Sequence, residues 1–453
     1  MSRLAIGWLL NRSNHTDNNF LNVNTGAYLG ELRAMGAFWR LRIGAFASAW
    51  VIVAAHCTSA FAQSSAPDSS GFQGPSSVEG ELGEEAAIRK QAPQAPGTPF
   101  KSRLFAPWFA FKEELNQRTG LQAGFDYTAF GQHVSNSPGE RNAAGGIFRT
   151  FGTWTLLNRG TSSGALIYKF ENRHRLGTEV SPLTLGFEAG SAVPTGVPFS
   201  DYDWGLTNLY WRQNFRSGRL NFIAGKIDAT DYLDVYALIN PWTSFQNLAF
   251  STNPTIAAPD QGLGVAGGAA LTDNVYVVAA INDANGLARN AGFETFFERQ
   301  EYFKSVEVGL TSSFERRYLD NVHVTYWHAD ERTRQGVPES WGLALSATQF
   351  IGDRWLPFLR AGYSEGGAAL YRQSIAGGLG IRFENTDVFG IGVGWGQPFG
   401  PDPREQVSTE MFYRWQVTDV FALTPNLQVI FEPANNPDKD TLAFIGARGR
   451  AAF

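Results

Sequence analysis

The stretch Gly164-Ala-Leu-Ile-Tyr-Lys-Phe-Glu-Asn-Arg-His-Arg places a charge at every second position: Lys169, Glu171, Arg173 and Arg175. Successive side chains of an extended strand point to opposite faces, so these residues share one face while Leu166, Tyr168 and Phe170 take the other. Carboxylate acceptors beside guanidinium and ammonium donors can exchange hydrogen bonds with the hydroxyls of a neutral solute without retaining a net-charged ion. Glu171 and Arg173 are the leading candidates for that role. The same parity turns Arg212, Arg360, Arg382, Glu410, Arg414, Gln428 and Arg448 to the wet side, and Trp327 offers an aromatic face for stacking. A competing reading keeps these charges paired with one another, bracing a wide wall and touching no solute.

The elements that must carry them are strands. From residue 100 to residue 453 the dominant period is two. Leu121, Ala123, Phe125 and Tyr127 alternate with Gln122, Gly124, Asp126 and Thr128. Met411, Tyr413, Trp415 and Val417 alternate with Glu410, Arg414 and Gln416, and Val322, Val324 and Tyr326 with His323, Thr325 and Trp327. In the last strand Arg448 and Arg450 oppose Ile445, Ala447 and Ala451. Turn signals at Thr272-Asp-Asn274, Ser217-Gly218, Gly352-Asp353 and Asn385-Thr386 separate such runs at hairpin intervals. At roughly 22 residues per strand and loop, the region holds about 16 antiparallel strands, an even number that can close without a free edge.

Composition agrees. Gly (49) and aromatics (14%) are abundant, whereas Cys (1), Met (3) and His (6) are scarce, the balance of a Gly-turned, aromatic-rich β protein. Beyond the N-terminal region no apolar run reaches the roughly 18 residues that a membrane helix needs, so any crossing must use strands. The net charge of −5, with both signs interspersed, offers no basic field for nucleic acid.

Residues 1–34 read as an extension ahead of a better start at Met35. From there Arg40 and Arg42 precede an apolar core from Ile43 to Ala55, and Ala60-Phe61-Ala62 ahead of Gln63 has the small-x-small pattern of a cleavage site, so residues 35–62 form an export signal. Cys57 leaves with it; His56 before it is too large for a lipid-attachment motif. Residues 63–99 are rich in Ser, Gly, Pro, Gln and Ala and include Glu79-Gly-Glu81-Leu-Gly-Glu84-Glu85, a composition that predicts a flexible periplasmic linker. One short helix near Glu84 to Lys90 fits there, but the segment is too polar to bury a core of its own.

A soluble sandwich would alternate too, so the aromatics decide between the two. Trp211, Trp355, Tyr363 and Trp415 stand where strands end, as in the girdles of a membrane barrel, and the closing strand ends on Phe453, the kind of terminal aromatic that barrel assembly recognises. Unpaired backbone groups in hydrocarbon cost several kcal/mol each, so a barrel in lipid must close and its wet faces must line a lumen. The fold class read from the sequence is therefore all-β, a transmembrane antiparallel barrel of about 16 strands over residues 100–453 with loops folded into the lumen.

Two stretches then resemble a known family. The first is Gly225-Lys-Ile-Asp228-Ala-Thr-Asp231-Tyr-Leu-Asp234, followed by Asn240, Phe245-Gln-Asn247-Leu-Ala-Phe250 and Asn253-Pro254-Thr-Ile-Ala-Ala-Pro259. The second is Glu410-Met-Phe-Tyr413-Arg-Trp with Leu423-Thr-Pro425-Asn-Leu-Gln428, Pro433 and Arg448. In their spacing the region resembles the OprB-type carbohydrate-selective porins. Lys226 and Leu233 depart from the pattern, where a polar residue and an aromatic are expected. The resemblance implies a 16-stranded channel in the outer membrane of a Gram-negative cell, passing glucose and related sugars by diffusion through a constriction of acidic and basic residues. It implies contact with lipid, lipopolysaccharide and the barrel assembly machinery; a homo-oligomer and a single barrel both fit.

The segment from Asp228 to Pro259 is too long for a hairpin and is expected to fold inward. Asp228, Asp231 and Asp234 read as turn formers in preference to calcium ligands, because they lack a full ligand set. Gly262-Leu-Gly264-Val-Ala-Gly267 matches a dinucleotide fingerprint but follows Pro259-Asp-Gln and enters a β-like run, so its glycines serve strand packing. His323 and His328 fall on opposite faces and share no metal. No catalytic constellation, cofactor or metal is expected. The alternatives to a sugar channel are a general diffusion porin, an outer-membrane hydrolase using rim carboxylates, and an adhesion barrel.

Overall fold

The computed structural model describes residues 71–91, 105–384 and 386–453, all within one compact unit, Ala66–Phe453. The expectations for the 1–34 extension, the 35–62 export signal with Cys57, the outer parts of the 63–99 linker and Asn385 of one turn lie outside the described residues.

Sixteen strands close into one antiparallel barrel in which each pairs with its sequence neighbours and β1 meets β16. They are β1 Leu121–Val134, β2 Asn142–Arg159, β3 Ser162–Arg175, β4 Asp203–Phe215, β5 Leu220–Ile227, β6 Gly262–Ala270, β7 Val275–Asp283 and β8 Tyr302–Thr311. The circle continues with β9 Asn321–Ala329, β10 Ser340–Thr348, β11 Trp355–Glu365, β12 Tyr371–Arg382, β13 Val388–Pro398, β14 Gln406–Gln416, β15 Phe421–Phe431 and β16 Thr441–Ala452. Closure leaves no edge strand, which is the condition for surviving in hydrocarbon. At the closing seam the Phe453 and Phe125 main chains exchange N–H···O bonds of 2.7 and 3.2 Å, and the Phe453 ring lies 4.9 Å from that of Phe105.

The outward faces are apolar and uncovered: Phe170, Val265, Val308, Tyr326, Met411 and Ile391 are all exposed, as lipid-facing residues of a barrel are. The inward faces are polar and covered. Strand parity follows the sequence reading at β1, β3, β9, β14 and β16, where Asp126, Glu171, His323, Glu410 and Arg448 all point in. One end of the barrel has short turns, including residues 216–219, 271–274 and 417–420; the other carries long connections at 176–202, 228–261 and 284–301. In outer-membrane barrels the short turns are periplasmic and the long loops extracellular.

What covers the inward faces is a second layer of chain. Within the 228–261 connection, Tyr236, Phe245 and Phe250 pack on Phe358 and Phe412 of the wall, with Phe245 4 to 6 Å from three aromatic rings: 5.1 Å from Phe250, 5.7 Å from Phe358 and 5.0 Å from Phe412. The 176–202 connection carries a helix at Pro182–Ala189 and also folds in, with Thr195 and Gln132 of β1 exchanging hydrogen bonds.

The linker expectation fails over residues 71–91. This stretch is a buried lumen segment containing helix α1, Val78–Gln91. Gly80 lies against the main chain of residues 74–75, where an added Cβ would sit 2.2 Å from the Gly74 oxygen, and Gly268 of β6 leaves room for the Phe72 ring. The stretch is too polar to form a core of its own, and its partners are on the barrel wall, far away in the chain. A second helix, α2 at Ala106–Thr119, precedes β1 and has no buried residue.

Candidate functional site

The lumen face of β3 begins the site. Lys169 and Glu171 are buried, while Arg173 keeps 11% of its side chain exposed. Arg173 donates through Nε to Glu171 at 2.9 Å and through Nη1 to the Pro198 carbonyl at 2.7 Å and the Ser200 hydroxyl at 3.3 Å. The Tyr202 hydroxyl donates to Glu171 at 3.0 Å, and the Arg173 guanidinium lies 5.0 Å from the Tyr202 ring centre. The end of the 176–202 connection is thus fastened to the mixed-charge ladder. Arg175, farther along the strand, is at the rim and bonds Asp201 at 2.6 Å.

The remaining inward residues mostly hold the second layer. Arg360 donates to the Phe250 and Thr252 carbonyls at 3.0 and 2.8 Å and pairs with Asp234. Asp234 also accepts from the Ser346 hydroxyl at 2.7 Å and lies 3.0 Å from His323 Nε2. Burial pushes the Asp234 carboxyl up, but Arg360 and His323 outweigh it and hold it down to about 2. Glu410 accepts from the N–H groups of Gln246 and Asn247 at 2.8 and 2.7 Å, and Arg448 donates to the Pro241 and Ser244 carbonyls at 2.6 and 3.0 Å. Gln428 bridges both loops, donating to the Thr195 carbonyl at 2.7 Å and accepting from Asn247 at 3.0 Å.

The loop motif does the work of turns. Asp228 caps a 3-10 turn through the Thr230 N–H, Asn247 caps the short helix Leu248–Ser251, and Asn253 accepts from the Thr255 N–H. Asp231 accepts from Asn208 at 3.2 Å, and burial pushes its carboxyl well up despite nearby Lys169. Among the described residues no group of three His, Cys, Asp or Glu side chains could hold a metal ion. At the two departures from the family pattern, Lys226 donates to the Leu287 carbonyl at 2.7 Å, tying down the 284–301 connection, and Leu233 fills an apolar cluster.

Two sequence expectations need correction. Trp327 presents no free face: it is 0% exposed, its indole N–H donates to the Thr255 carbonyl at 3.0 Å, and its ring lies against Phe303. The inserted loop covers it, which strand parity cannot reveal. Arg212 and Arg414 face inward as expected, but they meet helix α1: Arg212 pairs with Glu79, and Arg414 Nη1 donates to Glu84 at 2.6 Å.

The same helix engages Arg149, which no motif marks, and Arg450, which strand parity alone turns inward. Arg149 of β2 donates to Glu81 and Asp126 at 2.8 Å each, with its guanidinium 3.6 Å from the Trp242 ring centre. Arg450 of β16 donates to Asp126 and Glu85 at 2.8 Å each. The available signal was the acidic spacing 81, 84, 85, which groups carboxylates along a helix, together with the inward parity of the arginines. Burial pushes the Glu85 carboxyl up to about 7 against the pull of Arg450, and burial raises Glu81 as well; Glu84 is only half-buried, and Arg414 outweighs that desolvation and holds it below the usual range.

Comparison with known proteins places this architecture. A high-pH structure of Pseudomonas putida OprB aligns with a TM-score of 0.60 at 14% identity, covering 76% of this chain and 97% of that one. A low-pH structure of the same protein aligns at 0.48 with 13% identity over 77% and 97%, and a variant of the Rh. blastica porin at 0.47 with 10% identity over 74% and 100%. No curated protein matches the chain. The first alignment establishes the 16-stranded porin fold. Residues 310–453 match the model described as carbohydrate-selective porin, OprB family. Over β9 to β16, less than half of the chain, the sequence is similar to that family, and the closed barrel with its inward polar faces and infolded loops has the fold of a 16-stranded porin.

Proposed function

We propose that the chain passes small neutral carbohydrates, glucose and related sugars, across the outer membrane by diffusion, with Glu171 and Arg173 at the constriction and Lys169 beneath them. One observation carries this reading: donors and acceptors of both signs converge where β3 meets the 176–202 connection, and Arg173 keeps part of its side chain exposed beside the Tyr202 ring. A hydroxylated solute crossing such a point exchanges water for guanidinium donors and carboxylate acceptors, and the paired charges attract no single ion. Binding there is weak enough to release, as conduction demands. Glu410, Gln428 and Arg448 act indirectly, by fixing the loops that shape the passage.

The test is single-channel conductance of the refolded protein in planar bilayers, titrated with glucose, alongside Glu171→Ala and Arg173→Ala. Glucose should block ion current in the parent, and both substitutions should weaken the block. Current unaffected by glucose would leave a general diffusion porin in place of a sugar channel.

A further inference from the structure

Helix α1 carries Glu79, Glu81, Glu84 and Glu85 into the lumen, and each meets a different or shared guanidinium of the wall: Arg212 on β4, Arg149 on β2, Arg414 on β14 and Arg450 on β16. These strands lie along one arc of the wall, from β14 through β16 and β1 to β4, with Arg212, Arg414 and Arg450 toward the end of short turns. Asp126 is a second carboxylate partner for Arg149 and Arg450, but among the described residues Arg212 and Arg414 find a carboxylate only on the helix. The Nε–H groups of these same two arginines have no acceptor among the described residues, although both side chains are more than nine-tenths buried. The apolar grip of the helix is small, with Val78, Leu82 and Ile88 buried. Charge is what docks it.

We infer that α1 is a tethered acidic plug, and that the guanidinia it occupies form, once it withdraws, a binding site for carboxylated saccharides such as hexuronates. The inference rests on the sugar-channel reading above and adds a substrate class and a gate to it. With the helix gone, Arg149, Arg212, Arg414 and Arg450 face the lumen with Asp126 as their neighbouring wall carboxylate, so the passage becomes cationic. A guanidinium holds a carboxylate through paired, charge-assisted N–H···O bonds, and its remaining donors suit adjacent hydroxyls. The glutamates of α1 thus stand where a uronate carboxylate would bind, and helix and solute compete for the same donors.

The experiment compares the full refolded chain with a Glu79→Gln, Glu84→Gln variant, which removes the carboxylates of Arg212 and Arg414, in planar bilayers, with folding checked by heat-modifiable gel migration. Conductance of the variant should rise several-fold and its reversal potential should shift toward anions. Potassium glucuronate should then block its current at about one-tenth the concentration that glucose requires, the equivalent of one additional charge-assisted contact. An Arg212→Gln, Arg414→Gln variant undocks the helix from the other side. It should also conduct more, without the preference for glucuronate, and it carries the test if the glutamine variant does not fold. Equal conductance of parent and folded variants would overturn the plug. An opened variant that glucose blocks as well as glucuronate does would overturn the carboxylate site while leaving the sugar channel standing. Block by neither sugar would remove the sugar-channel reading and this site together, while a rise in conductance would still establish the plug.

Discussion

Two of the segments that fill the interior of this barrel are fastened by different means. The 228–261 connection is held by aromatic packing around Phe245 and Phe250 and by arginines that donate to its main-chain carbonyls, Arg360 at Phe250 and Thr252 and Arg448 at Pro241 and Ser244. Helix α1 is held by side-chain carboxylates against guanidinia, with little apolar surface between. Aromatic burial holds the loop whatever its charge state, whereas buried ion pairs hold the helix only while both charges keep their partners. The inserted loop is therefore built as part of the wall, and the helix as a detachable guest.

The contrast is broken most directly at Asp234. Asp234→Ala leaves Arg360 buried without its carboxylate and should destabilise the barrel by about 3–5 kcal/mol. The shift would be read from urea unfolding followed by heat-modifiable migration; an unchanged midpoint would mean that the carbonyl bonds alone hold the loop. Phe245→Ala empties a pocket ringed by Phe250, Phe358 and Phe412. It should cost about 3 kcal/mol in the same assay, while leaving the α1 pairs intact.

pH should move the two segments in different windows. Asp234 is held down to about 2 from an ordinary value of 3.8, so its contribution is present above 3.8 and is lost as the pH falls toward 2. Glu85 is pushed the other way, from 4.5 up to about 7, so the docked helix binds more protons than the free one across that interval. Docking is then favoured below about 4.5 and is penalised progressively as the pH rises to about 7. The groups facing Glu85 are Arg450, Arg89, Asp126 and Glu81, and Glu81 is raised in the same direction. Glu84 is lowered and acts below this window. Trypsin cleavage after exposed Lys90 should accordingly be slower at pH 5.5 than at pH 8 after correction for the enzyme's own pH dependence. Equal corrected rates would show that the helix does not leave in this range.

The smallest effect is expected at Glu84→Gln. Glu84 keeps 30% of its side chain exposed, so losing its pair with Arg414 should cost the fold about 1 kcal/mol or less. It should still raise helix detachment at high salt, measured by the same cleavage.

What the sequence determined by itself is local. Alternation at period two assigned the inward faces of β3, β9, β14 and β16, because strand parity is a property of the backbone and needs no partner. Turn residues separated the hairpins at 217–218, 272–274 and 352–353, and the length of 228–261 predicted an infolded connection. The tertiary structure decided which inward residues are available. It covered Trp327 with Thr255, committed Glu410 and Gln428 to loop main chain, and gave Arg414 a partner on a helix more than three hundred residues earlier in the chain. It also turned a Gly- and Glu-rich stretch, which lacks an apolar stripe of its own, into an ordered helix. Such a helix gains its stability from arginines on four separate strands, and no window of sequence brings those groups together before the barrel closes.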